Sequence, residues 1–183
     1  MDIHEYQAKK ILSDFGINIP RGGIAYSPEN AEFKAREIGG SRWVVKAQVH
    51  SGARGKAGGI KLCDTELEVA QAADKLLGRK LITNQTGPSG KIINRVYIEE
   101  ATHIEKELYL GLVFDRGSEC IMVVASTEGG MSVEEISQKK PESIIRSKIE
   151  VAVGMQEFQA REIAFNLGIK PELVSRTASV IVG

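Results

Sequence analysis

Lys46 stands inside the apolar run Trp43-Val44-Val45-Lys46-Ala47-Gln48-Val49, and a glycine-rich basic loop follows at once. Trp43, Val44, Val45 and Val49 have the β-branched and aromatic character of a buried strand. An unpaired ammonium in such a strand costs several kcal/mol, roughly, so the fold must give Lys46 an opposing charge or a route to solvent. The loop offers Gly52, Gly55, Gly58 and Gly59, with Arg54 and Lys56 among them. Glycines let main-chain N–H groups close around anionic oxygens, and the two cations add charge. The segment Gly59–Leu62 reads as a strand returning antiparallel to the first.

Two familiar phosphate motifs fail on spacing. Gly55-Lys56 is followed by Ala57 and not by Ser or Thr, and G-x-G-x-x-G is absent from a loop that precedes a strand, not a helix. Two readings stay open for the hairpin. It is a cationic cover over a polyphosphate, with Lys46 aimed at the ligand, or a solvated tip with Lys46 snorkelling at a sheet edge.

Charge is balanced overall, with 24 Lys plus Arg against 24 Asp plus Glu, so no global field draws the chain to nucleic acid or to a membrane surface. The two cysteines, Cys63 and Cys120, sit in apolar strand-like surroundings without metal-ligand spacing, which reads as buried, reduced thiols. The N-terminal segment carries acidic residues in a helical pattern instead of a basic stretch before an apolar run, so no secretory signal is expected. No apolar segment approaches membrane-spanning length. A soluble, cytoplasmic protein is the expectation.

Periodicity organises the rest. Ile3, Tyr6, Ile11, Leu12 and Phe15 mark a first helix closed by Gly16. After the turn Pro20–Gly23 and a short strand Ile24–Tyr26, Ser27-Pro28 opens a second helix that Gly39-Gly40 ends. Asp64 is expected to cap a third helix with Leu67, Ala70, Ala73 and Leu77 on one stripe. A strand Ile92–Glu99 leaves the turn Gly87–Gly90. Beyond a break at Glu100–His103, strands Glu107–Phe114 and Cys120–Ala125 form a hairpin around Asp115–Ser118. Ser132 and Glu135 form a capping box, Ile144–Ile149 is a strand, and two helices close the chain, the second starting at Pro171. With no low-complexity linker, the break near Glu99–Thr102 is a hinge between two α/β lobes.

The hinge carries a second constellation: Glu99 ending one strand, Thr102 in the connection and Glu107 beginning the next strand. A nucleotide placed between two lobes needs partners for its base edge and an acceptor for the vicinal ribose hydroxyls, which suits a carboxylate. Such a charge-assisted hydrogen bond contributes roughly 1.5–3 kcal/mol. The alternative is an ordinary solvated strand edge. Taken together, the hairpin and the hinge would hold opposite ends of one ligand.

Several blocks resemble the β-subunit family of succinate–CoA ligases (succinyl-CoA synthetases). They are Met1–Lys9 (MDIHEYQAK), Trp43–His50 (WVVKAQVH), Arg54–Gly59 (RGKAGG), Lys106–Gly111 (KELYLG), Ala125–Gly130 (ASTEGG) and Arg161–Phe165 (REIAF). The runs Ser51–Cys63 and Phe158–Phe165 resemble the malate–CoA ligase members at least as much. This resemblance implies an α+β, ATP-grasp fold, two α/β lobes with a nucleotide cleft between them. It divides the chain into lobes 20–103 and 1–19 plus 104–183.

By resemblance, Lys46 contacts the nucleotide phosphates, Ala53, Arg54 and Gly55 form the main-chain phosphate loop, and Glu99, Thr102 and Glu107 hold adenine and ribose. Ala53 stands where the family more often has glycine, a strain if that position needs positive φ. Pro20 resembles the adenine-specific members, so ATP is the expected cofactor. Family chains continue past Gly183 with an asparagine and an aspartate that hold Mg²⁺ and a second domain that docks on the α subunit. The chain therefore reads as a C-terminally shortened ATP-grasp domain, with its metal ligands expected beyond Gly183. The phosphorylated histidine belongs to the α-subunit partner, so His4, His50 and His103 are not expected to be catalytic. A non-catalytic ATP-binding module is the alternative for the isolated chain.

Overall fold

The computed structural model describes residues 3–131 and 133–183, in two compact units, Met1–His103 and Ile104–Gly183. The first unit is built on a four-stranded antiparallel sheet of order β1-β6-β2-β3. Its strands are β1 (Gly22–Ala25), β2 (Trp43–Ala47), β3 (Ile60–Cys63) and β6 (Val96–Glu100), and the short β4 (Lys80–Leu81) and β5 (Lys91–Ile92) pair separately. The expected hairpin forms, with Lys46 opposite Ile60 and Trp43 opposite Cys63.

One face of this sheet carries Trp43, Val45, Ala47, Val96 and Ile98, all buried against α2 (Pro28–Ile38) and α3 (Glu66–Leu76). Ala31, Ala35 and Ile38 face them from α2, and Val69, Ala73 and Leu76 from α3. Because side chains alternate along a strand, the opposite face must carry Val44, Lys46, Tyr97 and Glu99. Helix packing on one face thus leaves the polar residues of β2 and β6 together on the other.

Local signals set the helix ends. The Ser27 side chain accepts from the Asn30 amide at 3.1 Å, with Pro28 in the first turn. In α3 the cap is Thr65, accepting from the Glu68 amide at 3.1 Å, and not Asp64. Asp64 instead pairs with Arg42 at 2.6 Å across the chain ends of the sheet hairpin. The buried stripe of α3 is accordingly Val69, Ala72, Ala73 and Leu76, while Leu67 is exposed.

The first helix, α1 (Glu5–Asp14), belongs to the first unit, whereas the sequence reading grouped residues 1–19 with 104–183. Polar contacts explain the difference: Glu5 and Lys9 reach Lys46 and Glu99, and the Tyr6 amide reaches Gln48. None of the residues of α1 is buried, and Ile11, Leu12 and Phe15 remain exposed.

The second unit holds an antiparallel sheet of order β7-β8-β9, formed by Tyr109–Asp115, Cys120–Ser126 and Ile144–Ile149. Helices α5 (Glu157–Asn166) and α6 (Pro171–Val182) pack on each other, and Val123, Ala125, Ile149, Ile163 and Leu167 form the core. A short α4 spans Val133–Lys139. The expected capping box involves Ser132, which lies outside the described residues.

Candidate functional site

The polar face of the first sheet is an ion network. Lys46 Nζ donates to Glu99 Oε2 and to Glu5 Oε1, the latter at 3.1 Å. Lys9 Nζ donates to Glu99 Oε1 and lies 3.3 Å from Glu5 Oε1. Arg54 closes the set, its Nη2 donating to Glu5 Oε2 at 2.6 Å and its Nη1 to the Ala47 carbonyl at 2.8 Å. Three cations therefore meet two carboxylates, one positive charge in excess. Glu99 is the deepest member, only 3% exposed.

Lys46 and Glu99 meet because their positions are diagonal across the β2–β6 ladder, where Lys46 lies opposite Tyr97 and Val44 opposite Glu99. The two residues expected at the hairpin and at the hinge are therefore direct partners in this structure. Gln48, buried at the end of β2, ties the network to α1, donating to the Lys46 carbonyl at 3.2 Å and accepting from the Tyr6 amide at 3.4 Å.

Charge and burial shape the acid–base behaviour of the network. Burial acts to raise the Glu5 pKa, but the charges of Lys46, Arg54 and Lys9 outweigh it and bring the carboxyl down to about 2. The Lys9 ammonium is also brought down, to about 8, by burial and by Lys46, with Glu5 opposing. Lys9 also lies over the Tyr97 ring, 5.5 Å from its centre.

The glycine-rich loop turns tightly beside this network. Its internal bonds run from the Ala57 amide to the Ala53 carbonyl, from Gly58 to Gly55 and from Gly59 to Arg54. Among the described residues the amides of Ala53, Arg54 and Gly55 donate to no backbone carbonyl. Ala53 has φ of +55°, so the position does demand the left-handed region that glycine adopts without strain. A cavity of about 480 Å³ opens next to the loop, lined by Ile3, Glu5, His50, Ser51, Gly52 and Arg54 among others. His50 stacks on His4 with ring centres 4.0 Å apart.

Thr102 and His103 are exposed in the segment after β6. Glu107 lies in the second unit, exposed, and precedes β7 instead of opening it. It packs against Gly129 and Gly130, where a Cβ on Gly129 would overlap the backbone carbon and Cβ of Glu107. Lys46, Ala53, Arg54, Gly55 and Glu99 come together in the first unit. Glu5, Lys9 and Gln48 escaped the sequence reading. The i, i+4 spacing of Glu5 and Lys9 on one helix face was the available signal.

The sequence matches the ATP-grasp domain family over residues 2–183. The chain belongs to the ATP-grasp family. It is 59% identical over 181 residues to a probable malate–CoA ligase subunit beta of Mesorhizobium japonicum, covering 99% of this chain and 46% of that protein. Identity to succinate–CoA ligase [ADP-forming] subunits beta is 53% for Nautilia profundicola (92% of this chain, 43% of that one) and 49% for Bacillus velezensis (100% and 48%). The chain thus spans about half the length of the curated relatives it matches.

Among solved structures, a Pyrococcus horikoshii protein aligns with a TM-score of 0.70 at 18% identity, covering 98% of this ATP-grasp chain and 74% of that one. A dinucleotide-forming acetyl-coenzyme A synthetase of Ca. Korarchaeum cryptofilum aligns with 0.67 at 22%, covering 99% and 78%. These likenesses carry the fold alone. Among the described residues no group of three or more His, Cys, Asp or Glu side chains is arranged to hold a metal, and no Mg²⁺ ligand is assigned within them. Among them, too, no helix is long and apolar enough to cross a membrane.

Proposed function

We propose that this ATP-grasp chain is the nucleotide-holding part of the β subunit of an ADP-forming dicarboxylate–CoA ligase, a cytoplasmic enzyme of the tricarboxylic acid cycle that acts with an α subunit. The observation that carries the nucleotide reading is the loop Ala53–Gly55, whose amides donate to no backbone carbonyl among the described residues, beside an excess of positive charge. Main-chain amides and cations on and beside one loop fit the oxygens of a polyphosphate.

Bound ATP supplies the phosphoryl group that passes, by way of the α subunit's histidine, to the acid. The contribution of this chain is positioning and neutralisation, not proton transfer. Lys46 and Arg54 hold the phosphates with the loop amides. Thr102 and Glu107 hold the nucleoside. Glu99, each of whose oxygens already accepts from a lysine, joins them through its remaining lone pairs.

Calorimetric titration with ATP, ADP and adenosine tests the proposal. Both nucleotides are expected to bind more tightly than adenosine, and Lys46→Gln to narrow that difference. Equal affinity for all three, or none for any, would refute it. The 59% identity to the malate–CoA ligase subunit, against 53% and 49% to the succinate–CoA ligase subunits, favours malate as a second reading of the acid. Chromatography of the acyl-CoA made by the assembled ligase from either acid decides between them.

A further inference from the structure

We infer that Lys9 is a third phosphate-binding cation of this site, and that the Glu5 carboxylate holds the place a phosphate group takes on binding. The inference rests on the nucleotide reading above and extends it to α1. Glu5 alone gathers three cations: Arg54 at 2.6 Å, Lys46 at 3.1 Å and Lys9 at 3.3 Å. Two of those cations are the ones the nucleotide reading gives to the phosphates, so a phosphate that reaches them must take over contacts now made by Glu5.

A phosphate group carries more charge than a carboxylate and has three oxygens in place of two, so the exchange neutralises the three-cation cluster better. In the exchange the Glu5 side chain turns away from Arg54 and Lys46. Helix α1 stays tethered by Lys9 to Glu99, by the Tyr6 amide to Gln48 and by the Tyr6 hydroxyl to Arg95 at 3.3 Å. Space for the exchange exists, since Glu5 and Arg54 both line the cavity beside the loop.

Lys9 meets the same carboxylate. Glu5 from α1, Lys46 from β2, and Glu99 and Tyr97 from β6 surround its ammonium, so its charge points into the cluster and not to solvent. With its pKa near 8, Lys9 is about half protonated at pH 8, and an arriving phosphate restores the missing proton. Binding at pH 8 is then accompanied by proton uptake that belongs to Lys9.

The test is calorimetry of the 183-residue chain with ATP and with adenosine at pH 8, in two buffers of different ionisation enthalpy. Lys9→Gln is expected to weaken ATP binding about tenfold or more, remove the excess proton uptake and leave adenosine affinity unchanged. Lys9→Arg should restore much of the affinity without the proton uptake. Glu5→Gln, which removes the competing carboxylate, should tighten ATP binding several-fold. The inference is overturned if Lys9→Gln binds ATP as the wild type does, if it loses ATP and adenosine affinity equally, or if Glu5→Gln weakens ATP binding. A wild-type chain that binds no ATP overturns the nucleotide reading and this inference together. Wild-type binding with an unaffected Lys9→Gln variant overturns this inference alone.

Discussion

Replacing Glu99 with glutamine removes one negative charge from the middle of the network while keeping shape and hydrogen-bonding capacity. Taking one partner from a buried ion pair costs about 3–5 kcal/mol, because the other charge is left uncompensated. Two features of this cluster lower that figure. Glu5 remains 3.1 Å from Lys46 and 3.3 Å from Lys9, so neither ammonium is orphaned. Lys9 is also already near pKa 8, so at pH 7 it can discard its charge for roughly 1.4 kcal/mol per pH unit. A loss of about 2–3 kcal/mol at pH 7 follows. For a unit the size of Met1–His103 that is a fall in melting temperature of roughly 10–20 °C. At pH 9, where Lys9 is largely neutral in the folded protein, the penalty should shrink to about half. Thermal melts followed by the near-ultraviolet signal of the buried Trp43 at both pH values give the answer. A melting temperature within about 2 °C of wild type at pH 7, or an equal loss at both pH values, would refute the argument.

Glu5 sets the acid limb of stability. Its folded pKa of about 2 lies below the ordinary 4.5, so its contribution is complete above pH 4.5 and is lost as pH falls toward 2, at up to about 1.4 kcal/mol per unit; Glu5→Gln should flatten that limb in urea titrations. Ala53→Gly relieves a left-handed alanine worth about 1–2 kcal/mol and returns about 0.4–1 kcal/mol of unfolded-chain entropy, so a net gain below about 1.5 kcal/mol is expected as a higher denaturation midpoint. A loss of stability in that variant would show that the loop does not bear the strain. Gly129→Ala forces the backbone of Glu107 to shift and should cost about 1–3 kcal/mol. On the nucleotide reading it also erodes the preference for ATP over its 2′,3′-dideoxy analogue, measurable by calorimetry, and an unchanged preference would remove Glu107 from the ribose contact.

Local chemistry alone determined much of this protein. Ser27-Pro28, Gly39-Gly40 and Pro171 punctuate helices because caps and fixed φ act within one turn, and all three do so in the structure. The apolar, β-branched run Trp43–Val45 announced a strand with Lys46 inside it, and the glycine loop announced the hairpin. What alternation cannot say is which face the helices cover or which distant residue stands diagonal to Lys46. Those answers came with the pairing of β2 to β6, a contact between residues about fifty positions apart, which set Glu99 against Lys46. The same holds for α1. Its apolar spacing suggested a helix buried along one side, yet its exposed Ile11, Leu12 and Phe15 show that the polar side with Glu5 and Lys9 does the docking. Sequence period reports that a helix has two faces; only the charges waiting on the sheet decide which one it turns inward, because an ammonium inside a strand needs a carboxylate more than the helix needs apolar burial.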